Sequence, residues 1–458
     1  MSFFKRNKFA LAIFVVACIV RLLYLGLALH AGQGKLAETV SGADCYFVIS
    51  ENVLHGHGYS CDLAPPYTLN SIRPPVQPFF LASLYLILGT YWLPLLVQIL
   101  LGSMVPLLGM AIAEFITKRP RVITVVGILL ALEPVSILFS IIFYSETIFT
   151  VLLLSSIIFL FRYLQSMRQT FLWASGFLLG LSTLAKPTSE FLPVVFSMGI
   201  LWHFRSNMRA AFAPIGIFIM IFIIALSPWL IRNYMTFGVL GVSPQLGEQL
   251  HAVLVPSVLS FENGTTFQEE FDAMLAHGGV DPSSASIENG DTYLKKAIPI
   301  LLAHPKGLSI ISANTALNFY IHDGMIEVLK HVGERPPEKL GKPALFLFLS
   351  DPTRLLGYIK SVFFTPIILI LFGRIAWILI TLFAVFGAWR YMRDEIETVY
   401  GLISISAVLY FMLTTLVIGL AVTARYRLPV NALIVTFAVY QVAHLYTIRK
   451  HYFTRWIS

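Results

Sequence analysis

The stretch Leu93-Pro94-Leu95-Leu96-Val97-Gln98-Ile99-Leu100-Leu101-Gly102-Ser103-Met104-Val105-Pro106-Leu107-Leu108-Gly109-Met110-Ala111-Ile112-Ala113-Glu114-Phe115 runs almost directly into Lys118-Arg119-Pro120-Arg121. A helix needs about 20 apolar residues to cross the hydrocarbon layer of a bilayer. The basic cluster marks the end that stays in the cytoplasm, because short cytoplasmic loops collect Lys and Arg. Composition supports the same reading across the chain: of 458 residues, 57% are hydrophobic and only 12% charged, where a soluble domain carries roughly 25% charged residues. Water-soluble domains built from this sequence would lack the polar surface to cover their cores.

The couplet of apolar run and basic loop repeats. Ten spans are expected, at roughly 9–29, 93–115, 122–142, 147–163, 170–186, 191–204, 210–230, 366–389, 399–421 and 429–447. Taken in that order they put Lys5/Arg6/Lys8, Lys118/Arg119/Arg121, Arg162/Arg168, Arg205/Arg209, Arg390/Arg393 and Arg449/Lys450/Arg455 on one side. Both termini are therefore expected in the cytoplasm, and the chain in the inner (plasma) membrane as a multi-pass protein. Lys5-Arg6-Asn7-Lys8 before a long apolar run without a small-residue cleavage site reads as a signal anchor.

Val76–Leu88 is apolar but short, preceded by Arg73-Pro74-Pro75 and interrupted by Pro78. It is expected to lie on the membrane surface or re-enter it. The run 355–372 reads either as a further span or as an interfacial helix, so the bundle is expected to hold about 10–13 transmembrane helices.

Three segments follow. Residues 1–231 form an N-terminal transmembrane module with a first outer loop at 30–92. Residues 232–365 form an outer, partly helical cap, and 366–458 supply C-terminal transmembrane helices. The net charge of +8 is not spread evenly. From Gly241 to Pro343, 12 acids face 7 Lys/Arg, so the positive excess lies in the short loops. No basic face of a soluble domain is present, which excludes a nucleic-acid partner.

Ionisable groups at the edge of an apolar span are expensive unless paired or wetted, which makes each a functional candidate. The outer ends of the expected spans carry Asp44, Arg73, Glu146, Lys186, Arg232, Arg425 and Arg427. Single cations at helix ends commonly snorkel, but Glu146 interrupts Ile141-Ile142-Phe143-Tyr144-Ser145-Glu146-Thr147-Ile148-Phe149, where a carboxylate has no packing role. Arg21 falls inside the first span, where a partner such as Glu133 or Asp44, or a water-filled cavity, would have to receive it. Glu133-Pro134 opens a helix and leaves its carboxylate to cap the break or to line a cavity.

Seven local patterns occur in order: Gly42-Ala43-Asp44-Cys45-Tyr46; Leu54-His55-Gly56-His57-Gly58-Tyr59-Ser60; Arg73-Pro74-Pro75-Val76-Gln77-Pro78; Tyr144-Ser145-Glu146; Leu184-Ala185-Lys186-Pro187; Pro228-Trp229-Leu230-Ile231-Arg232-Asn233-Tyr234; and Ala424-Arg425-Tyr426-Arg427-Leu428-Pro429. With them the chain resembles the GT-C class of membrane glycosyltransferases. In particular it is similar to bacterial relatives of dolichyl-phosphate-mannose–protein mannosyltransferase and of the lipid A aminoarabinose transferase. The resemblance covers residues 1–240 and, less closely, the last hundred. It implies an all-α polytopic bundle with juxtamembrane helices in the first outer loop. It also implies catalytic carboxylates at Asp44 and Glu146 and a donor-phosphate contact at Arg73. Gln77 stands where that family usually has a tyrosine, and no soluble sugar-binding domain is appended. Both departures leave the acceptor open.

The implied chemistry suits these residue types. A polyprenyl-phosphate sugar carries a leaving group that departs without protonation when cations neutralise the growing charge. One general base and a cluster of Arg and Lys then suffice, in place of the carboxylate pair of a glycosidase. Asp44 is the expected base for inverting transfer to an acceptor hydroxyl of a lipid, glycan or protein on the periplasmic side. Arg73, Lys186, Arg232 and Arg425 are the expected phosphate ligands, arginine because its planar fork pairs with phosphate oxygens.

No cofactor or metal is expected, since His55, His57 and Asp62 are too few and too loosely spaced for a zinc site. Cys45 and Cys61 share the outer loop, where a bridge between them would pin it; Cys18 reads as a core residue. The competing readings are a transporter or flippase of lipid-linked sugars, a GT-C-type oligosaccharide ligase or polymerase, and a scaffold. A transporter predicts internal repeats and charges at mid-membrane, whereas the charges here gather at one interface.

Overall fold

Apolar runs bounded by basic loops become long helices, and the prolines and polar links between them set where each helix stops. The structure, a computed structural model, describes residues 3–276, 285–334, 351–353, 356–357, 360, 365–366, 368–394 and 398–457. Helix α1 (Phe3–Ala31) leads into the first loop, which holds α2 (Leu36–Val40), α3 (Tyr46–Leu54) and α4 (Val76–Leu88). The bundle continues with α5 (Trp92–Ile116), α6 (Pro120–Ala131), α7 (Pro134–Phe139), α8 (Glu146–Ser166), α9 (Gln169–Ala185), α10 (Leu192–His203) and α11 (Phe212–Phe237). A second polar segment folds as α12 (Gln245–Gln249), α13 (Val255–Asn263), α14 (Phe267–Ala276), α15 (Gly290–Ala303), α16 (Pro305–Ile321) and α17 (Met325–His331). The chain then returns through α18 (Ile368–Asp394), α19 (Thr398–Thr415) and α20 (Asn431–Ile457). There is no strand among the described residues.

Among the described residues, 7 helical regions are long and apolar enough to cross a membrane: Lys8–Ala31, Trp92–Ile116, Glu146–Ser166, Met208–Phe237, Ile368–Asp394, Thr398–Ala421 and Leu428–Thr447. The other three expected spans are realised as shorter helices. The stretch 122–142 breaks into α6 and α7 at Glu133-Pro134, while α9 has 17 residues and α10 has 12. Helix α4 has 13 residues, roughly 20 Å at 1.5 Å per residue, which is too short to cross. The run 355–372 lies in part outside the described residues, and its last five residues open α18.

The break between α6 and α7 explains Arg21. Glu133 caps α7 by accepting the Ser136 N–H at 2.5 Å. Arg21, fully buried, donates to Ser136 Oγ at 3.0 Å, to Ala17 O at 3.2 Å and to Ala131 O, a carbonyl at the end of α6, at 3.5 Å. Among the described residues it makes no ion pair with Glu133 or Asp44. Its work is to satisfy main-chain and hydroxyl groups at an interrupted helix, where bare polar atoms would be costly.

Close helix approach comes from small residues, as expected where lipid tails compete with side chains for apolar contact. Gly176 and Gly180 of α9 face α11; a Cβ on either would lie within 3.0 Å of the Phe218 or Phe222 carbonyl oxygen. Outward positions such as Leu23, Leu27, Ile224 and Phe386 stay apolar and exposed. Helix α4 is tied down by a buried amide chain: Gln77 donates to Gln98 Oε1 at 3.0 Å, and Gln98 donates to Ile142 O at 2.7 Å. The polar segment has its own apolar centre of Val255, Val258, Ala297, Leu301 and Ile311.

Candidate active site

Two loops that are a hundred residues apart in sequence are stitched together beside the end of α1. The Phe143 N–H donates to Val40 O and the Ala43 N–H to the Tyr144 hydroxyl, both at 2.7 Å. Gly42 permits this: its φ is +65°, and a Cβ there would fall 2.2 Å from the Tyr144 ring. Asp44 follows at once, and Cys45 opens α3 and is disulfide-bonded to Cys61. The loop that presents Asp44 is thus fixed on one side by Tyr144 and on the other by the disulfide.

Glu146 stands in the first turn of α8, where the helix N-terminus favours a carboxylate. It is fully buried. Its Oε1 accepts from Lys186 Nζ at 2.8 Å and from Arg425 Nε, while Oε2 has no partner among the described residues. Lys186 reaches it from the end of α9, where Pro187 prevents the helix from continuing. Arg425 lies in the short link between α19 and α20 and spans both acids, Nε to Glu146 and Nη2 to Asp44. Its guanidinium stacks on Tyr144 at 4.4 Å. Arg73 Nη2 lies 3.6 Å from Asp44 Oδ1.

These five side chains form one chain of charge: Lys186–Glu146–Arg425–Asp44–Arg73. Burial opposes the charge of Arg425, but Glu146 and Asp44 outweigh it and hold the guanidinium well above its ordinary value. Burial opposes Arg73 as well, and Tyr46 and Asp44 raise it again. Asp44, Arg73, Lys186 and Arg425 line a cavity of about 230 Å³. Its remaining wall includes Ser243 and Gln245 from the polar segment, Glu190 from the link after α9, and Tyr410 from α19.

Arg232 is not brought to this cavity. Its Nη1 donates to Asn70 O at 3.0 Å and to Asn233 Oδ1 at 2.8 Å, and its guanidinium stacks on Trp229 and Phe237 at 4.7 and 5.0 Å. Through Asn70 it braces the loop that carries Arg73, since Asn70 Oδ1 accepts the Arg73 N–H at 2.9 Å. Arg427, another cation of the outer ends, is buried elsewhere. The loop histidines do not converge on Asp62: His57 stacks on Tyr67 at 4.2 Å, and Asp62 accepts from Thr68 and Ser60. Among the described residues no three His, Cys, Asp or Glu side chains are grouped to hold a metal.

Sequence reasoning missed Tyr144, Glu190, Ser243, Gln245 and Tyr410 as parts of the site. Tyr144 sat within the quoted Tyr144-Ser145-Glu146, and Glu190 lies four residues beyond Lys186. The other three carry no local signal.

No protein-family model and no curated protein sequence matches the chain. By structure it is similar to the oligosaccharyltransferase of Archaeoglobus fulgidus in complex with Zn and sulfate, at a TM-score of 0.52 and 12% identity over 96% of this chain and 50% of that one. AglB from the same organism, in complex with an inhibitory peptide and a dolichol-phosphate, gives a TM-score of 0.52 and 12% identity over 98% of this chain and 52% of its own. The fold is GT-C. At this identity the likeness speaks for the fold, and the chain spans about half the length of these archaeal structures. ArnT from Cupriavidus metallidurans, bound to undecaprenyl phosphate, aligns over 92% of this chain and 77% of its own with 11% identity and a TM-score of 0.35. That superposition is too loose to argue from. The chain is thus a multi-pass, all-α membrane protein with a GT-C bundle, and its charged cavity lies where the loop after α1 meets the starts of α8 and α20.

Proposed function

We propose that this chain is an inverting glycosyltransferase that moves a sugar from a polyprenyl-phosphate donor to an acceptor hydroxyl. The observation that carries the reading is the convergence of Asp44, Glu146, Arg73, Lys186 and Arg425, from five separate stretches of chain, in one chain of ion pairs, with all but the fully buried Glu146 lining one cavity. Within this ion-paired chain, three cations against the two carboxylates they contact leave one formal positive charge, which suits a phosphodiester bearing one negative charge. As the glycosidic bond breaks, the leaving lipid phosphate gains a second negative charge. The same cations stabilise it more strongly than the ground state, which is the condition for catalysis.

The acceptor oxygen attacks the anomeric carbon while the bond from that carbon to the phosphate oxygen breaks. The bonding electrons leave with the lipid phosphate, and the acceptor proton passes to Asp44. Before donor binding, both Asp44 oxygens face guanidinium groups. A donor phosphate competes for Arg73 and Arg425 and frees Asp44 to act as base once the donor is in place. Glu146 holds Arg425 and Lys186 in position throughout. The two acids share the Arg425 guanidinium.

The donor class draws support from the shared fold, since the archaeal relative holds a dolichol-phosphate. The positive-inside pattern supports a periplasmic site: Arg119, Arg162, Arg205 and Arg390 fall at the helix ends opposite Asp44, Glu146, Lys186 and Arg425 in chain order. On this reading residues 232–365 form an outer cap over the site, and a lipid, glycan or protein is the acceptor. The test is to incubate the purified protein with a panel of polyprenyl-phosphate sugars and measure release of free lipid phosphate. Release by the wild type, and release slower by about 10²–10⁴-fold in Asp44→Asn, is expected. Absence of release with every donor, slow hydrolysis included, would overturn the proposal.

A further inference from the structure

The cavity has a carboxylate that the transfer chemistry does not use. Glu190 lines it together with Lys186, and the two come from one short link, Lys186-Pro187-Thr188-Ser189-Glu190. That link is built rigidly. Lys186 is extended and Pro187 opens a single tight turn. Ser189 points inward, its Oγ 2.9 Å from Thr183 Oγ1 and 3.2 Å from Ser182 Oγ. One phenol clamps the chain on both sides of Glu190: Tyr410 OH donates to Thr188 O at 2.8 Å and accepts the Phe191 N–H at 3.2 Å.

Glu190 itself makes no ion pair and no side-chain hydrogen bond among the described residues, in contrast to Asp44 and Glu146. The nearby cations are already spoken for: Lys186 by Glu146, Arg425 by both acids, and Arg73 by Asp44. Burial alone acts on its carboxyl and pushes it up from the ordinary range. An uncompensated, partly desolvated carboxylate held by a rigid loop is unfavourable unless a ligand supplies donors.

We infer that Glu190 is the sugar-reading residue of the cavity: it accepts hydrogen bonds from hydroxyls of the transferred sugar and repels sugars that carry a carboxylate. A carboxylate is acceptor-only and can take two neighbouring hydroxyls at once. It also repels phosphate, so the donor enters with its phosphate toward Arg73 and Arg425 and its ring toward Glu190. Charge at this one position then orients the donor and sorts sugars by charge, because a like charge facing it is a repulsive element in specificity. The inference rests on the glycosyl-transfer reading of the same cavity.

The experiment compares wild type, Glu190→Gln and Glu190→Asp. Each is given a polyprenyl-phosphate neutral hexose and the matching uronic acid, and KM and kcat are read from lipid phosphate release. Glu190→Gln should raise KM for the neutral donor about tenfold and improve use of the uronate in absolute terms. Glu190→Asp keeps the charge and should keep the discrimination even if turnover falls. If Glu190→Gln treats both donors as wild type does, or weakens both alike, the inference fails while glycosyl transfer stands. If wild type releases nothing from any donor, both fail. If wild type prefers the uronate, the sorting role is wrong and transfer stands.

Discussion

Arg425 and Arg427 stand almost side by side in the link between α19 and α20, and sequence gives them equal standing as outer-end cations. Arg425 reaches into the cavity and is met by two carboxylates, Asp44 and Glu146. Arg427 turns the other way and is fully buried. It donates to the Phe319, Tyr320 and His322 carbonyls at 2.9, 2.7 and 2.7 Å and to Asn431 Oδ1 at 3.0 Å, stacked 3.5 Å over Trp377. One is met by two carboxylates, of which Asp44 lines the cavity where a ligand can displace it. The other ties the end of α16 to the start of α20 through main-chain oxygens that no ligand would replace. A cation at a helix end reads as functional when it lines a cavity and pairs with a carboxylate there, and as structural when it is buried among carbonyls.

The largest expected effect is the loss of Arg427. Arg427→Ala would leave the Phe319 and His322 carbonyls and Asn431 Oδ1 without this donor, each worth about 1–3 kcal/mol when left bare, while Tyr320 O keeps the Thr381 hydroxyl at 3.0 Å. That sum approaches the 5–15 kcal/mol by which a typical domain is stable. The expected outcome is little or no monodisperse protein after detergent extraction. Recovery of a folded, normally stable Arg427→Ala protein would erase the contrast with Arg425.

Asp44→Asn and Arg425→Ala come next and should do the reverse. Asp44→Asn is expected to lower turnover by about 10²–10⁴-fold, the usual contribution of a general base. Arg425→Ala should lower it by about 10²–10³-fold through loss of charge stabilisation at the leaving phosphate. Both should extract and melt much like wild type. Arg425→Ala melting far below wild type, as expected for Arg427→Ala, would move Arg425 into the structural class. Arg73→Ala should act more narrowly, raising donor KM about tenfold with acceptor KM unchanged. Equal changes in both would count against a phosphate contact.

Much of the fold was legible because a bilayer imposes a coarse rule: apolar length and basic loops report the helices almost directly. Glu133-Pro134 was readable as a break, but the partners of Arg21 were not. Beyond the Ala17 carbonyl of its own helix they are a carbonyl and a hydroxyl at that break, and neither carries a sequence signature. Within the site, Asp44, Glu146, Arg73, Lys186 and Arg425 were visible because charge is conspicuous beside apolar runs, and the structure gathers all five. Arg232 looked equivalent by the same criterion, and only the aromatic faces of Trp229 and Phe237 reveal that it braces a loop instead. Ser243 and Gln245 were invisible, since nothing in an ordinary polar segment says which of its residues meets the membrane bundle.

The smallest expected effect carries the contrast into the carboxylates of the first loop. Asp44 pairs with cations on a cavity wall, whereas Asp62 is clamped in a turn by the Thr68 N–H at 2.6 Å, the Thr68 hydroxyl at 2.7 Å and the Ser60 hydroxyl at 3.0 Å. The Thr68 bonds, foremost, hold the Asp62 carboxyl below its ordinary value. A group depressed in the folded state stabilises that state above its unfolded pKa, about 3.9 for Asp. The contribution fades as pH falls through the lower, folded value. Hydrogen exchange across 60–68, corrected for intrinsic rates, should therefore accelerate in wild type as pH drops below about 4. Asp62→Asn should exchange faster at neutral pH and show no such acid step. At neutral pH it should change turnover only slightly, because the Cys45–Cys61 disulfide and Tyr144 still hold the stretch around Asp44. A large loss of turnover in Asp62→Asn would show that the turn and the cavity act as one unit. The separation between residues that hold the loop and residues that face the ligand would then fail within the first loop.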